Sequence, residues 1–335
     1  METVDAHVAR WAGDDPTRRA VAAAIGAMID SSLLLAVRLA RGDLPGDPAR
    51  HVGENFGGDR QKALDVGAHD LFAERLREAG VAMLISEEAP EPIMLDPRGL
   101  VAVALDPIDG SGNIGIGAPL GTIFSVVPAG PATGATGRSQ LAAGYISFGH
   151  SIDLGLTLGD GVLLATLDPV DGRFLVHTTR ARLPRQTSDL AFNASNHRFW
   201  QPSVRAYVED CYAGKDGPRG REFNTRWFGA AVGELHRIMR RGGLFFYVAD
   251  AREGYRDGRL RLVYEAWPIA FLMEQMGGAA TDGRIAILDI TSYSIHQHTP
   301  LVFGSAAEVE TFGQYLETAG AQGSGQETSQ DIRRK

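Results

Sequence analysis

Cysteine is almost absent from this chain. Cys211 is the only one in 335 residues, so no intrachain disulfide can form, which suits a reducing cytoplasm. No long basic run occurs, and 41 acidic against 33 basic side chains leave a net charge of −8. Nucleic acid and anionic membrane surfaces are therefore poor partners. The N-terminus carries Glu2 and Asp5 and lacks the basic-then-apolar pattern of a secretory signal. The most apolar early segment, 20–39, is interrupted by Asp30-Ser31-Ser32 and Arg38, which argues against a membrane span. There is no P-loop, no G-x-G-x-x-G, no internal repeat and no Cys–His nucleophile pattern. His150, His177, His236, His296 and His298 lack zinc-ligand spacing and read as structural or surface residues. The expectation is a soluble cytoplasmic protein.

What is present is a large apolar fraction, 44%, enough for two domains or one large one. The chain is organised around the run Val101-Ala102-Val103-Ala104-Leu105-Asp106-Pro107-Ile108-Asp109-Gly110-Ser111. Its small and branched apolar residues predict a fully buried strand, stopped by an acidic residue, a proline and a second acidic residue. Asp-Pro and Asp-Gly are common turn dipeptides, and aspartate caps helices, so a turn alone would explain the run in isolation. A second buried strand, Val81 to Ile85, ends in Ser86-Glu87-Glu88. Two neighbouring strand ends of this kind crowd four carboxylates, at a cost of several kcal/mol in repulsion unless cations neutralise them. A centre for hard cations explains the pair of strand ends better than coincidence does.

Along the chain, Asp15-Pro16-Thr17 opens a helix to about Arg41, and Gly46 to Gly58 reads as an aperiodic loop. A second helix puts Leu64, Ala68, Leu71, Phe72 and Leu76 on one face and ends at Gly80, with Asp65 and Asp70 off that stripe. Thr122 to Val127 is a strand, and Pro128 to Gln140 a flexible surface loop. Four antiparallel strands follow between 141 and 177, joined by Gly159-Asp160-Gly161 and Asp171-Gly172 turns. Pro184 to Asp189 is the expected domain junction. Helices are expected over 202–211, 228–241 and 268–276, and strands over 244–248 and 260–264, the last ending at Glu265. Beyond about Thr318 the composition predicts disorder.

Carboxylates at Glu87, Asp106, Asp109 and Glu265, with a Gly-Ser turn among them, suit phosphate-ester hydrolysis by hard cations. The glycines let backbone N–H groups approach an anion, most effectively if a helix starts there. Positioning and charge neutralisation do most of the work in such chemistry.

These residues carry a resemblance. Ile85-Ser86-Glu87-Glu88 with Leu105-Asp106-Pro107-Ile108-Asp109-Gly110-Ser111 is similar to the signature of the lithium-sensitive, Mg²⁺-dependent phosphatase superfamily. More narrowly, the chain resembles class I fructose-1,6-bisphosphatases over residues 15–310, most of all the bacterial enzymes of carbon-fixation operons. The likeness includes Gly58-Asp59-Arg60-Gln61-Lys62-Ala63-Leu64-Asp65-Val66, Gly121-Thr122-Ile123-Phe124-Ser125, Arg259-Leu260-Arg261-Leu262-Val263-Tyr264-Glu265 and Gly277-Gly278-Ala279-Ala280-Thr281. Asn193-Ala194-Ser195-Asn196 and Gly258-Arg259-Leu260 point to the carbon-fixation group.

The resemblance implies an α/β, layered α+β sugar-phosphatase fold with alternating helix and sheet layers, αβαβα. It implies an N-terminal domain over 1–187 with most metal ligands, a C-terminal sugar-phosphate domain over 188–317, and a disordered tail over 318–335. It implies Mg²⁺, two or more ions per subunit with Mn²⁺ as a substitute, held by Glu87, Asp106, Asp109, Glu265 and the carbonyl of Ile108. Glu88 and Asp65 would activate the attacking water, and Asp59 on a mobile loop would complete the site. Asp109, Gly110, Ser111 and Gly112 would line the 1-phosphate position, with Arg261 near it. Asn193, Tyr247 and Arg259 would bind the 6-phosphate, with Arg226 from a neighbouring subunit of a homotetramer. The implied reaction is hydrolysis of the 1-phosphate of fructose 1,6-bisphosphate, in gluconeogenesis or the Calvin cycle.

The chain departs from the family pattern in places. Gly112 and Gly115 replace a serine and an aspartate beside the phosphate turn, which would lower activity or alter the loop. Arg259 stands for a lysine and Trp227 for a phosphate-binding tyrosine. Leu100-Val101 stands where AMP-inhibited members have Lys-Tyr, and no Gly-Thr-Gly opens the first long helix, so little AMP inhibition is expected. A single cysteine excludes the disulfide switch of chloroplast enzymes. The alternatives are sedoheptulose-1,7-bisphosphatase or dual activity, an inositol-phosphate phosphatase lacking a second phosphate pocket, and an inactive paralogue that binds sugar phosphate as a regulator.

Overall fold

The computed structural model describes residues 1–54 and 60–317. The expectations for Asp59 and for the tail over 318–335 lie outside the described residues. Helices and sheets alternate in five layers, αβαβα, as the resemblance implies.

The layering follows from the central strand. Val101–Asp109 is buried along its whole length, so both of its faces must be covered. Val101, Val103 and Leu105 pack toward the first helix layer, while Ala102 and Ala104 face the middle one. The strand lies within an eight-stranded sheet. Met83–Ser86 runs parallel to it on one side, and Leu120–Pro128 runs antiparallel on the other. Ala142–Phe148, Ile152–Thr157, Val162–Asp168 and Arg173–Thr178 continue outward as antiparallel neighbours, as expected.

The first layer holds Val4–Ala12, Pro16–Ala40 and Ala63–Glu78. Pro16–Ala40 starts where expected because Asp15 caps it, accepting the Arg18 N–H at 2.8 Å. By length and composition it could cross a membrane, yet Ala24, Ile25 and Met28 are buried in the core beneath the sheet. Val4–Ala12 was not expected. Its signal is a Thr3 cap with Val4, Val8 and Ala12 on one buried face.

The middle layer is Ala231–Arg241 and Trp267–Gln275, packed between the large sheet and a five-stranded one. The second sheet contains Asn224–Thr225, Asp189–Ala191, Leu244–Tyr247, Leu301–Gly304 and Ala279–Thr281 in spatial order. Its outer face is covered by Pro202–Tyr212 and a helix over 306–317 through Tyr207, Val208, Phe246 and Phe312.

Several expectations change. The helix expected from Phe228 begins at Ala231, because Ala230 is extended. The strand expected over 260–264 is only Leu260–Arg261, and Leu262–Ala266 forms a π turn. The loop over 46–58 contains the strand His51–Glu54, paired with Arg60–Lys62. The loop over 128–140 is anchored by Arg138, which pairs with Glu274 at 2.6 Å and Asp289 at 2.8 Å.

Candidate metal and phosphate site

Two strand ends and two helix starts meet at one place. Because Met83–Ser86 runs parallel to Val101–Asp109, their carboxyl ends are adjacent, and the Glu87 N–H bonds the Leu105 carbonyl at 3.1 Å. The pairing with Leu120–Pro128 shifts register between Asp106 and Asp109. That bulge takes Pro107 and Ile108 out of the ladder, and the Thr122 hydroxyl satisfies the Pro107 carbonyl at 2.8 Å. Asp109 then reaches the middle layer, where its carboxylate accepts the Val232 N–H at 2.7 Å. The helix Ala231–Arg241 has no cap of its own from Ala230, so Asp109 caps it from the neighbouring strand. Glu265 enters from the π turn, whose opening amide, that of Arg261, bonds its carboxylate.

The result is a buried cluster. One oxygen from each of Asp106, Asp109 and Glu265 lies within 4.8 Å of the other two, the only such group among the described residues. Burial first, and neighbouring carboxylates second, push Asp106 and Glu265 well above the ordinary carboxylate range. Glu87 shares in this: burial and Glu88 raise it to about 8, while the Arg261 guanidinium pulls it back. Burial raises Asp109 to about 6 against the Val232 and Ala231 amides, which favour its charged form. The Asp106 Oδ1 is buried with no hydrogen-bond donor. An orphaned carboxylate oxygen within a crowd of like charges is costly to a protein standing alone. An all-oxygen, all-carboxylate donor set suits a hard divalent cation such as Mg²⁺ or Mn²⁺ rather than zinc or copper. The residues present fit such an ion.

Asp65 and Glu88 stand beside this cluster. Asp65 is buried in the first turn of Ala63–Glu78, where it accepts the Lys62 N–H at 3.1 Å, while its Oδ1 has no donor. Burial raises it to about 6, Lys62 lowers it and Glu88 raises it, so the two carboxylates sense one another. Both roles expected of a first-turn acid, cap and site residue, are open to it.

Gly110 turns the chain with φ 80°, and a Cβ there would lie 2.4 Å from that of Ala230. No α-helix follows: Ser111–Asn113 is a single 3₁₀ turn. The favourable helix end comes instead from Ala231–Arg241, against which Gly110 packs. Two residues without an assigned role hold the turn. The Lys62 ammonium donates to the Ser111 carbonyl, and the Asn113 amide donates to the Pro119 and Phe228 carbonyls, each at 2.9 Å. Gly112 has open space where a side chain would be.

The expected sugar-side residues are only partly brought together. Tyr247 lies 6.3 Å, ring to ring, from Trp227, which stacks on Phe245. Arg259 is exposed, its guanidinium 5.4 Å over the Tyr255 ring, and Arg252 stands 4.0 Å over the same ring. Arg252 also covers Phe199, pairs with Asp250 and donates to Asn196 at 3.0 Å. Asn193 caps the 3₁₀ turn Ala194–Phe199 that supports it. Arg226 is exposed beside the edge strand Asn224–Thr225, its amide bonded to the Leu190 carbonyl. Arg252 and Tyr255 were not singled out from the sequence, where nothing marks a cation-on-ring stack across a loop.

A layered αβαβα fold with buried strand-end carboxylates beside a glycine-hinged turn defines the class: a metal-dependent phosphatase. The family is defined as well. The description "Fructose-1-6-bisphosphatase, N-terminal domain" matches residues 35–179, and the C-terminal domain of that family matches residues 183–317. The chain is 56% identical over 317 residues to "Fructose-1,6-bisphosphatase class 1" of Brucella suis, covering 94% of this chain and 93% of the relative. The protein of that name from Brucella melitensis biotype 2 matches to the same extent. The crystal structure of Leishmania major fructose-1,6-bisphosphatase in holo form superposes with a TM-score of 0.88 at 29% identity, covering 94% of this chain and 99% of that one. The apo form superposes at 0.83 and 27% identity, with the same coverage. This chain belongs to the class 1 fructose-1,6-bisphosphatase family.

Proposed function

We propose that this chain hydrolyses the 1-phosphate of fructose 1,6-bisphosphate, releasing fructose 6-phosphate and inorganic phosphate. The carrying observation is the buried cluster of Asp106, Asp109 and Glu265 within 4.8 Å, in a chain of this family. Divalent cations, when bound, polarise the phosphoryl group, supply an acidic water and neutralise the leaving alkoxide. Glu87, Asp106, Asp109, Glu265 and the Ile108 carbonyl would hold them.

The protein's own groups do the rest. Asp65 and Glu88 take the proton from the attacking water as its oxygen bonds phosphorus and the bond to the sugar O1 breaks, and they release it to solvent while a solvent proton converts the departing O1 to a hydroxyl. The backbone at Gly110, Ser111 and Gly112 cradles the phosphoryl oxygens beside Asp109, and Arg261 adds positive charge. Arg259, Tyr247 and Asn193 hold the 6-phosphate, so remote binding orients the reacting end. Asp59 would complete the water-activating group.

Mg²⁺, in two or more ions, is the physiological metal in this reading. Residues 1–187 and 188–317 form the metal-bearing and sugar-bearing domains. Arg226 is exposed beside an edge strand, which supports its reaching a neighbouring subunit in a homotetramer. Cys211 is the single cysteine and its thiol is free, which accords with residence in a reducing cytoplasm.

The test is phosphate release with Mg²⁺ from fructose 1,6-bisphosphate, sedoheptulose 1,7-bisphosphate and inositol 1-phosphate, with Asp109→Ala as control. Release from the fructose ester, lost in the variant, supports the reading. Slow release from all three, unchanged in the variant, overturns it.

A further inference from the structure

The carboxylates of the cluster come from two halves of the chain, and something must fix the distance between them. Glu87 and Glu88 follow Met83–Ser86, while Glu265 lies in the π turn Leu262–Ala266. His296 touches both segments. Its Nε2 lies 3.0 Å from the Ala89 carbonyl, one residue beyond Glu88, and its Nδ1 lies 2.9 Å from the Tyr264 hydroxyl, one residue before Glu265.

The chemistry of these partners assigns the imidazole. A carbonyl can only accept, so Nε2 carries the proton and donates to Ala89. Nδ1 is then the acceptor for the Tyr264 O–H. Burial favours this neutral ring, pushing His296 below the ordinary histidine range. The ring is itself held at its base. The Leu262 N–H donates to the Gln297 carbonyl at 2.8 Å, and His298–Thr299 pairs with Leu260–Arg261 in register. The Arg261 guanidinium reaches the His296 carbonyl at 3.5 Å.

We infer that His296 is a positioning residue, latching the Glu87–Glu88 segment to the Glu265 turn and so setting the affinity of the carboxylate cluster for divalent cations. The inference rests on the metal-centre reading above. Outer hydrogen bonds of this kind are worth about 10-fold to 100-fold in metal affinity when lost. A latch between two ligand-bearing segments acts on the spacing of the oxygens rather than on any one of them.

The test is Mn²⁺ binding, measured by titration calorimetry on the full chain without substrate. It compares wild type, His296→Ala, His296→Gln and Tyr264→Phe, with metal-free melting recorded alongside. Glutamine can donate through its amide and accept through its oxygen, so it restores part of what alanine loses. The expected result is Mn²⁺ affinity down about 10-fold or more in His296→Ala, partly recovered in His296→Gln, and intermediate in Tyr264→Phe. Wild-type affinity in a folded His296→Ala overturns the inference alone. If that variant does not fold, Tyr264→Phe removes only a hydroxyl, and unchanged affinity there overturns it equally. No Mn²⁺ binding by the wild type, or equal binding by Asp109→Ala, overturns the metal-centre reading and the inference with it.

Discussion

Asp109 and Val232 are joined by a 2.7 Å hydrogen bond from amide to carboxylate, across 123 positions of sequence. The residue that ends the central strand therefore also begins a helix of the middle layer. Asp109→Asn keeps an acceptor oxygen for that helix and removes one charge from the crowd. It is expected to lose about 10²-fold to 10³-fold in phosphate release while melting at or above the metal-free wild type, since charge stabilisation of this kind is worth that much. Asp109→Ala also loses the cap and should be less stable by about 1 kcal/mol. Paired activity and melting measurements check both.

The crowded carboxylates make metal-free stability depend on pH in an unusual direction. Glu87, Asp106, Asp109 and Glu265 all have folded-state values raised above their unfolded ones. The folded protein therefore binds protons more tightly than the unfolded chain, and stability falls as pH rises from the ordinary carboxylate range through about 6 for Asp109 and about 8 for Glu87. Metal-free protein should melt lower at pH 8 than at pH 5.5, and Mg²⁺ should restore more at pH 8. Calorimetric melting with and without a chelator reads this out.

Glycines near the phosphate turn should respond differently to substitution. At Gly110 a Cβ would meet Ala230 at 2.4 Å, at a φ of 80°. Gly110→Ala is expected to cost at least about 2 kcal/mol and to displace the turn. At Gly112 a Cβ meets nothing within 4 Å, so Gly112→Ser should leave stability within about 0.5 kcal/mol. Denaturant midpoints, with the cost at Gly110 exceeding that at Gly112, check the contrast.

Glu308 is buried and receives three donors: the Tyr207 hydroxyl at 2.6 Å, Arg219 at 2.7 Å and Arg221 at 2.5 Å. Removing its charge strands two guanidiniums. Glu308→Ala is expected to destabilise by about 3 kcal/mol or more without altering the Mg²⁺ requirement. Equilibrium unfolding and the metal dependence of phosphate release separate those effects.

AMP should leave phosphate release unchanged at millimolar concentration. The first turn of Pro16–Ala40 is already capped by the Asp15 carboxylate, which would repel a phosphate, and Val101 is buried within the sheet. Dose–response assays at saturating Mg²⁺ test this.

Much of the site was legible because carboxylates at strand ends are rare in company. Asp106, Asp109 and Glu87 follow strongly apolar runs, and those runs are the buried strands observed. Pro16 and Pro202 marked helix starts for the same local reason, a fixed φ where no N–H is needed. What was not legible depends on contacts far apart in sequence. Leu262-Val263-Tyr264 has the composition of a strand, yet burial of Glu265 toward Asp106 and Asp109 goes with a π turn there. Pairs such as Asn224–Thr225 and His298–Thr299 are too short to show alternation. The reach of Lys62 to Ser111 spans 49 positions, and the stack of Arg252 on Tyr255 depends on the loop's path.

In the proposed reaction the carboxylate cluster directs water to the 1-phosphate. Hydrolysis of fructose 1,6-bisphosphate in oxygen-18 water with Mg²⁺, followed by mass analysis of both products, tests it most directly. The label is expected in inorganic phosphate, with unlabelled fructose 6-phosphate and no product from Asp109→Ala. Label in the sugar, fructose 1-phosphate as product, or equal turnover by the variant would contradict it.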